Sequence, residues 1–206
     1  MRYVKIQAAS TQIPTNFCRF AALNQRMSRT LKITVMNMSE FEIKTLTPED
    51  WEIYKSARLK SLRDSPDSFG STYDQESALS DAEWQTRLNL KLRALDALPL
   101  VAKMDGQPVG LAWGVIHEPD LGVAHIYQMW VSPALRGKGI ATSLLREIKA
   151  WAAGRGCEFV ALAVTNSNQA AVSLYMSSGF IATGQLEELR SGSAIMVQPM
   201  VMKLSS

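Results

Sequence analysis

Two cysteines and two histidines are all the soft metal ligands that this chain of 206 residues contains. Cys18, Cys157, His117 and His125 are scattered, with no C-x-x-C or H-x-x-x-H spacing, so a zinc site is not expected and no metal is called for. Thiols so far apart fit no disulfide scaffold and favour a reducing compartment, giving a cytoplasmic expectation. No apolar run approaches the roughly 18 residues of a membrane span, and with a mean hydropathy of −0.04 no membrane partner is expected. The P-loop pattern G-x-x-x-x-G-K-S/T is absent. With 47% hydrophobic and 20% charged residues, the composition is that of an ordinary globular protein with one sizeable core.

Acidic residues are missing from the first 38 positions, which hold Arg2, Lys5, Arg19, Arg26, Arg29 and Lys32, a local charge of +6. Because the whole chain carries +3, residues 39–206 carry −3, and nucleic-acid binding by them is not indicated. Three readings of the leader stand open: a disordered, non-native or dispensable extension, a tail with its own role, or a targeting segment. The domain proper is expected at 39–206.

From Phe41 the pattern becomes regular. Phe41, Ile43 and Leu46 suggest a strand, and Thr47-Pro48-Glu49-Asp50 opens a helix whose stripe is Trp51, Tyr54, Ala57, Leu59 and Leu62. A long loop leads to a capping box at Ser80–Glu83 and a second helix through about Arg93. Two strands flank an Asp105-Gly106 turn, and 121–131 reads as a central strand, apolar on both faces. A helix with Ile140, Leu144, Leu145 and Ile148 follows, then a buried strand over 159–164, which makes a right-handed βαβ unit. A helix at about 169–177 and strand patterns at 180–183 and 194–203 complete a mixed α/β order, one parallel crossover among antiparallel strands, flanked by about four helices.

The turn between Val131 and Ala141 carries the most chemistry. Gly137 and Gly139 remove Cβ atoms where a helix begins, so a ligand can approach main-chain N–H groups that lack intrahelical partners and sit at the positive end of the dipole. Arg136 and Lys138 add positive charge, and the set suits a pyrophosphate; the bland alternative is a tight turn with solvated basic residues. The dinucleotide fingerprint fails here, because Thr142 stands where its third glycine belongs and no acidic residue closes the second strand, which disfavours a nicotinamide cofactor.

Arg136-Gly137-Lys138-Gly139-Ile140-Ala141 resembles the signature of the GNAT superfamily of N-acetyltransferases, an Arg or Gln followed by x-x-G-x and Gly or Ala. The stretch from Asn168 to Phe180 is similar to that family's second element, N-x-x-A-x-x-L-Y-x-x-x-G-F. The resemblance implies a GNAT-like fold and acetyl-CoA bound between the strands that end at Val131 and Val164. It implies that main-chain N–H groups of Gly137, Gly139, Ile140 and Ala141 hold the pyrophosphate, that Met129 and Val131 pair with the pantetheine arm, and that Asn168 contacts the cofactor. By the same resemblance Tyr175 protonates the departing thiolate, against the plainer reading of a core aromatic. The expected activity is direct acetyl transfer to a primary amine of a small molecule or protein; the alternative is a non-catalytic acyl-CoA sensor.

An amine must lose a proton before it attacks, and two residues are candidate bases. His125 lies on the central strand, with alternation placing it on one face with Tyr127, Met129 and Val131. Glu76, beside Asp74, sits in the long loop where similar enzymes contact the acceptor. A main-chain N–H near Met129 to Val131 is the candidate for holding the developing oxyanion. Asp64, Asp67, Asp74, Glu76, Glu118 and Asp120 in the connecting loops suggest a cationic acceptor. Cys157 has no His placed to activate it and reads as packing. Monomer and homodimer are both open.

Overall fold

Asp105 and Gly106 take positive φ, 50° and 75°, as a two-residue type I′ turn requires, and this turn joins β2 (Asp96–Met104) to β3 (Gln107–Ile116). The computed structural model describes residues 41–204, so the basic leader 1–38 lies outside the described residues. Ahead of the hairpin come β1 (Glu42–Thr45), α1 (Trp51–Asp64), α2 (Tyr73–Ser77) and α3 (Asp81–Leu88). After it come β4 (Val123–Val131), α4 (Ile140–Gly154), β5 (Phe159–Thr165), α5 (Gln169–Ser177), β6 (Ile181–Ala182), β7 (Glu187–Glu188) and β8 (Met196–Lys203). The strands form one sheet in the order β1-β2-β3-β4-β5-β8-β6, with β7 on β8. Among the described residues β4 and β5 are the parallel pair and the other pairings are antiparallel, the mixed α/β arrangement expected.

Two local differences have physical causes. The helix expected to reach Arg93 stops at Leu88, because the Leu92 N–H donates to Asn89 Oδ1 (3.1 Å) and Ala94 turns the chain at φ 47°. The long loop contains α2, which opens on a capping box of Thr72 and Gln75 and raises the α-helix count among the described residues to five.

Side-chain alternation splits the sheet's apolar residues between two faces. Leu100, Ala102 and Ala112 pack with Ile140, Leu144, Leu145 and Ile148 of α4, while Val101, Leu111 and Trp113 pack with Tyr54, Ala57 and Leu62 of α1 and Trp84 and Leu88 of α3. Each leucine, isoleucine or valine among them contributes about 1.5–3 kcal/mol of burial. α4 lies so close to β3 that a Cβ on Gly114 would stand 2.9 Å from the Trp151 ring and 3.0 Å from Ile148 Cγ2. Gly114→Val is therefore expected to destabilise the fold by about 1–3 kcal/mol through overpacking. The denaturant midpoint measures it, and an unchanged midpoint would contradict this packing.

β4 is interrupted in a way that shapes the whole centre of the sheet. Leu111 pairs with Trp130 and Trp113 with Tyr127, so the single residue Ala112 opposes both Gln128 and Met129. This is a β-bulge, with Gln128 left-handed at φ 55° and its Oε1 accepting from the Tyr54 hydroxyl at 3.2 Å. The extra residue reverses the alternation beyond it. His125, Tyr127 and Trp130 pair with Val115, Trp113 and Leu111 on the α1 side, whereas Met129 and Val131 join Ala124 and Ile126 on the α4 side. The expectation that His125 shares a face with Met129 and Val131 is corrected accordingly.

The same strand parts from β5. Parallel pairing covers only Val123 to His125 against Phe159 to Ala161. Beyond it β4 stays on β3 as far as Val131, and β5 stays on β8 as far as Thr165. The inner edges of both strands are left facing a gap.

Candidate active site

At the open end of that gap, β4 runs through a short 3-10 turn, Pro133–Leu135, into α4. Gly137 and Gly139 are left-handed at φ 78° and 82°, a region costly for residues with a Cβ, and a Cβ at either would meet nothing within 4 Å. No N–H from Gly137 to Thr142 donates to another group among the described residues. Six main-chain donors are thus presented at the positive end of a 15-residue helix beside open space.

The gap widens into a cavity of about 1500 Å³. It is lined by Gly137, Gly139, Ile140 and Ala141 of the turn into α4, by Met129, Val131, Asn168 and Tyr175, and by Phe69, Ser71, His125, Tyr127, Glu187 and Glu188. The loop after α1 borders the cavity with Phe69 and Ser71 and is tied across to β5 and to the chain after β7: the Thr165 hydroxyl donates to the Asp67 carbonyl (3.2 Å) and Arg190 donates to the Pro66 carbonyl (2.9 Å).

Tyr175 is 6% exposed, and its ring meets Phe180 edge-on with centroids 5.7 Å apart. Burial pushes its phenol well above the ordinary tyrosine range, so it keeps its proton at any working pH. His125 is half-buried and sits in a cluster with Tyr127, its neighbour by alternation, and with His117, which alternation along one strand does not reveal. Its ring stacks with that of Tyr127 at 6.2 Å and lies 5.5 Å from that of His117, while His117 Nε2 and the Tyr127 hydroxyl are 3.1 Å apart. Burial, with the neighbouring His117 adding to it and Asp120 opposing, holds the His125 imidazole below its usual value and keeps it neutral at pH 7. Tyr175 packs with the α4-side core and His125 lies on the α1 side, yet both line the one cavity.

Glu76 is a different matter. It is 3% exposed, it does not line the cavity, and both its oxygens are engaged: Arg58 Nη2 donates to Oε1 at 2.9 Å and Arg87 Nη1 to Oε2 at 2.7 Å. Burial acts to raise its pKa, but the Arg58 hydrogen bonds and the charges of both arginines outweigh it and hold the carboxyl below its usual range. A carboxylate so stabilised is a poor proton acceptor, and the base expectation for Glu76 is corrected to a buried ion-pair centre.

The charged residues expected at the cofactor and acceptor ends are also redistributed. Arg136 borders the cavity, but its guanidinium is held by the protein: Nε donates to the Val131 carbonyl (3.1 Å) and Nη2 to Asp64 Oδ2 (2.7 Å). This fills one of the two acceptor positions of the Val131 carbonyl. Lys138 is exposed. Asn168 caps α5, its Oδ1 accepting from the Ala171 N–H at 3.2 Å, and still borders the cavity. None of Asp64, Asp67, Asp74, Glu76, Glu118 and Asp120 lines the cavity; its acidic residues are Glu187 and Glu188 on β7. Cys157 is buried, and burial raises its thiol, as suits packing.

The sequence profile described as the Acetyltransferase (GNAT) family matches residues 57–180. The chain belongs to that family, and its fold is the family's fold. A GNAT acetyltransferase from Streptococcus pneumoniae superposes with a TM-score of 0.69 at 23% identity, covering 81% of this chain and all of that one. The PaiA N-acetyltransferase of Thermoplasma acidophilum, solved with coenzyme A, gives 0.60 at 20% identity over 80% and 99% of the two chains. In sequence, mycothiol acetyltransferase of Stackebrandtia nassauensis is 30% identical over 121 residues, 58% of this chain. The chain spans only 37% of that relative's length, and 40% of a probable N-acetyltransferase of Mus musculus.

Proposed function

We propose that this protein transfers an acetyl group from acetyl-CoA directly to a primary amine of a small molecule or protein. The observation that carries the reading is the row of unpaired N–H groups from Gly137 to Thr142 beside a strand gap open enough to admit an extended ligand. Gly137, Gly139, Ile140 and Ala141 receive the diphosphate, with the exposed Lys138 adding charge. The Met129 main chain at the bulge pairs with the pantetheine arm and faces the thioester. Tyr175 gives its proton to the departing thiolate, and His125, neutral at pH 7 and lining the same cavity, takes the proton of the attacking amine. The crystal structure of the Thermoplasma relative with coenzyme A supports the same ligand here. Residues 39–206 are the one domain that this chemistry needs.

Thiol release from acetyl-CoA, followed across a panel of amines, tests the reading. At least one amine is expected to accelerate release well above the rate without amine. If acetyl-CoA binds in calorimetry while every amine leaves the rate unchanged, the domain is an acyl-CoA sensor; if acetyl-CoA does not bind, the cofactor assignment fails.

A further inference from the structure

Asp64 is the last residue of α1, where a carboxylate faces the negative end of the helix dipole. The position is unfavourable unless something compensates it, and three donors converge on its Oδ2. The Trp130 indole N–H lies at 3.0 Å, Arg136 Nη2 at 2.7 Å and the Ser65 hydroxyl at 2.9 Å. Through Trp130 and Arg136 this one oxygen joins the end of α1 to the end of β4 and to the residue that leads into the phosphate cradle. Arg136 closes the ring from its own side, since its Nε donates back to Val131, five residues earlier, across the 3-10 turn.

We propose that Asp64 is a positioning residue for the cofactor turn, fixing the Arg136 guanidinium as a brace at the entry to the cradle instead of leaving it as a ligand of the diphosphate. This rests on the cofactor assignment above. The cradle contains two left-handed glycines, which gain the most freedom when nothing holds them. Their amides converge on an anion only if the chain entering them is fixed, and Arg136 is the residue that enters. The ion pair is too exposed to matter much for the fold: the side chains of Arg136 and Asp64 are 55% and 23% accessible, and such pairs contribute little to stability. Its effect falls on the geometry of the turn.

A double-mutant cycle in acetyl-CoA affinity separates a brace from a ligand. By calorimetry on the full chain, Asp64→Ala and Arg136→Met are each expected to weaken acetyl-CoA binding about fivefold, and the double variant also about fivefold, because both changes remove the same constraint. Asp64→Asn, which keeps the shape of the acceptor and loses its charge, is expected between Asp64→Ala and the unaltered protein. For Asp64→Ala with an accepted amine, KM for acetyl-CoA rises while kcat and KM for the amine stay within about twofold, a split that general loosening of the fold would not give. A loss of about 25-fold in the double variant overturns the brace, as does an Arg136→Met loss with Asp64→Ala unchanged or tighter, which marks Arg136 as a phosphate ligand. Failure of the unaltered protein to bind acetyl-CoA would overturn the cofactor assignment and the brace together, whereas additive losses overturn the brace alone.

Discussion

Tyr175→Phe is expected to lower turnover by about 100-fold while acetyl-CoA affinity stays within about twofold. The change removes one hydroxyl and keeps the ring that packs on Phe180 and within the α4-side core. The fold should therefore be retained, and the loss should lie in the step that needs a proton. Burial matters here in a specific way. A phenol held far above its ordinary pKa is a weak acid in bulk terms, yet it is always protonated, so its proton is available whenever a thiolate forms within reach. The ratio of kcat values with a good amine, beside calorimetric affinity for acetyl-CoA, decides the matter. Equal turnover in the two proteins would remove Tyr175 from the chemistry and leave it a core aromatic.

Glu76→Ala should destabilise the protein by about 3–5 kcal/mol, because it leaves two guanidinium groups, one of them fully buried, without their shared partner. Arg58 stands at 3% exposure on α1, Arg87 comes from α3 and Glu76 from α2, so one carboxylate ties together the three helices on that face. The pH dependence follows from the depressed pKa. The native state binds the proton less readily than the unfolded chain, so the stabilisation is complete above the unfolded carboxyl value, about 4.3, and is lost as pH falls through the lower folded value. Denaturant melts between neutral pH and pH 3 should show a steeper acid loss for the unaltered protein than for Glu76→Gln. Parallel acid limbs for the two would mean that Glu76 does not report the protonation of this ion pair.

Much of this architecture could be seen in the residue pattern. The Asp105-Gly106 hairpin, the amphipathic α4 and the crossover between β4 and β5 are where local preference and tertiary demand agree. The features that stayed hidden are those in which one residue overrules a period. A single extra residue at Gln128 turns the second half of β4 over, and nothing in Tyr127-Gln128-Met129 announces it, because two-residue alternation presumes an unbroken ladder. α2 has five residues, too few for a helical stripe. Arg58 lies among the apolar positions of α1 and is buried only because Glu76 comes to meet it from another element. Sequence alone does not say whether Asp74 or Glu76 turns inward. The site motifs gave the amides of the cradle correctly as groups without partners, but Arg136 read as a free cation because its partner, Asp64, is 72 residues away.

The brevity of the contact between β4 and β5 has a consequence for what the sheet is. Strands β1 to β4 form one raft and β5 to β8 another, and between the two central strands only three residue pairs at one end act as a spine. An extended amide-bearing molecule laid in the opening would supply the rungs that the polypeptide omits. Its own backbone would then be a temporary strand, and the join between the two rafts would run the full length of β4 and β5 only while such a molecule is in place.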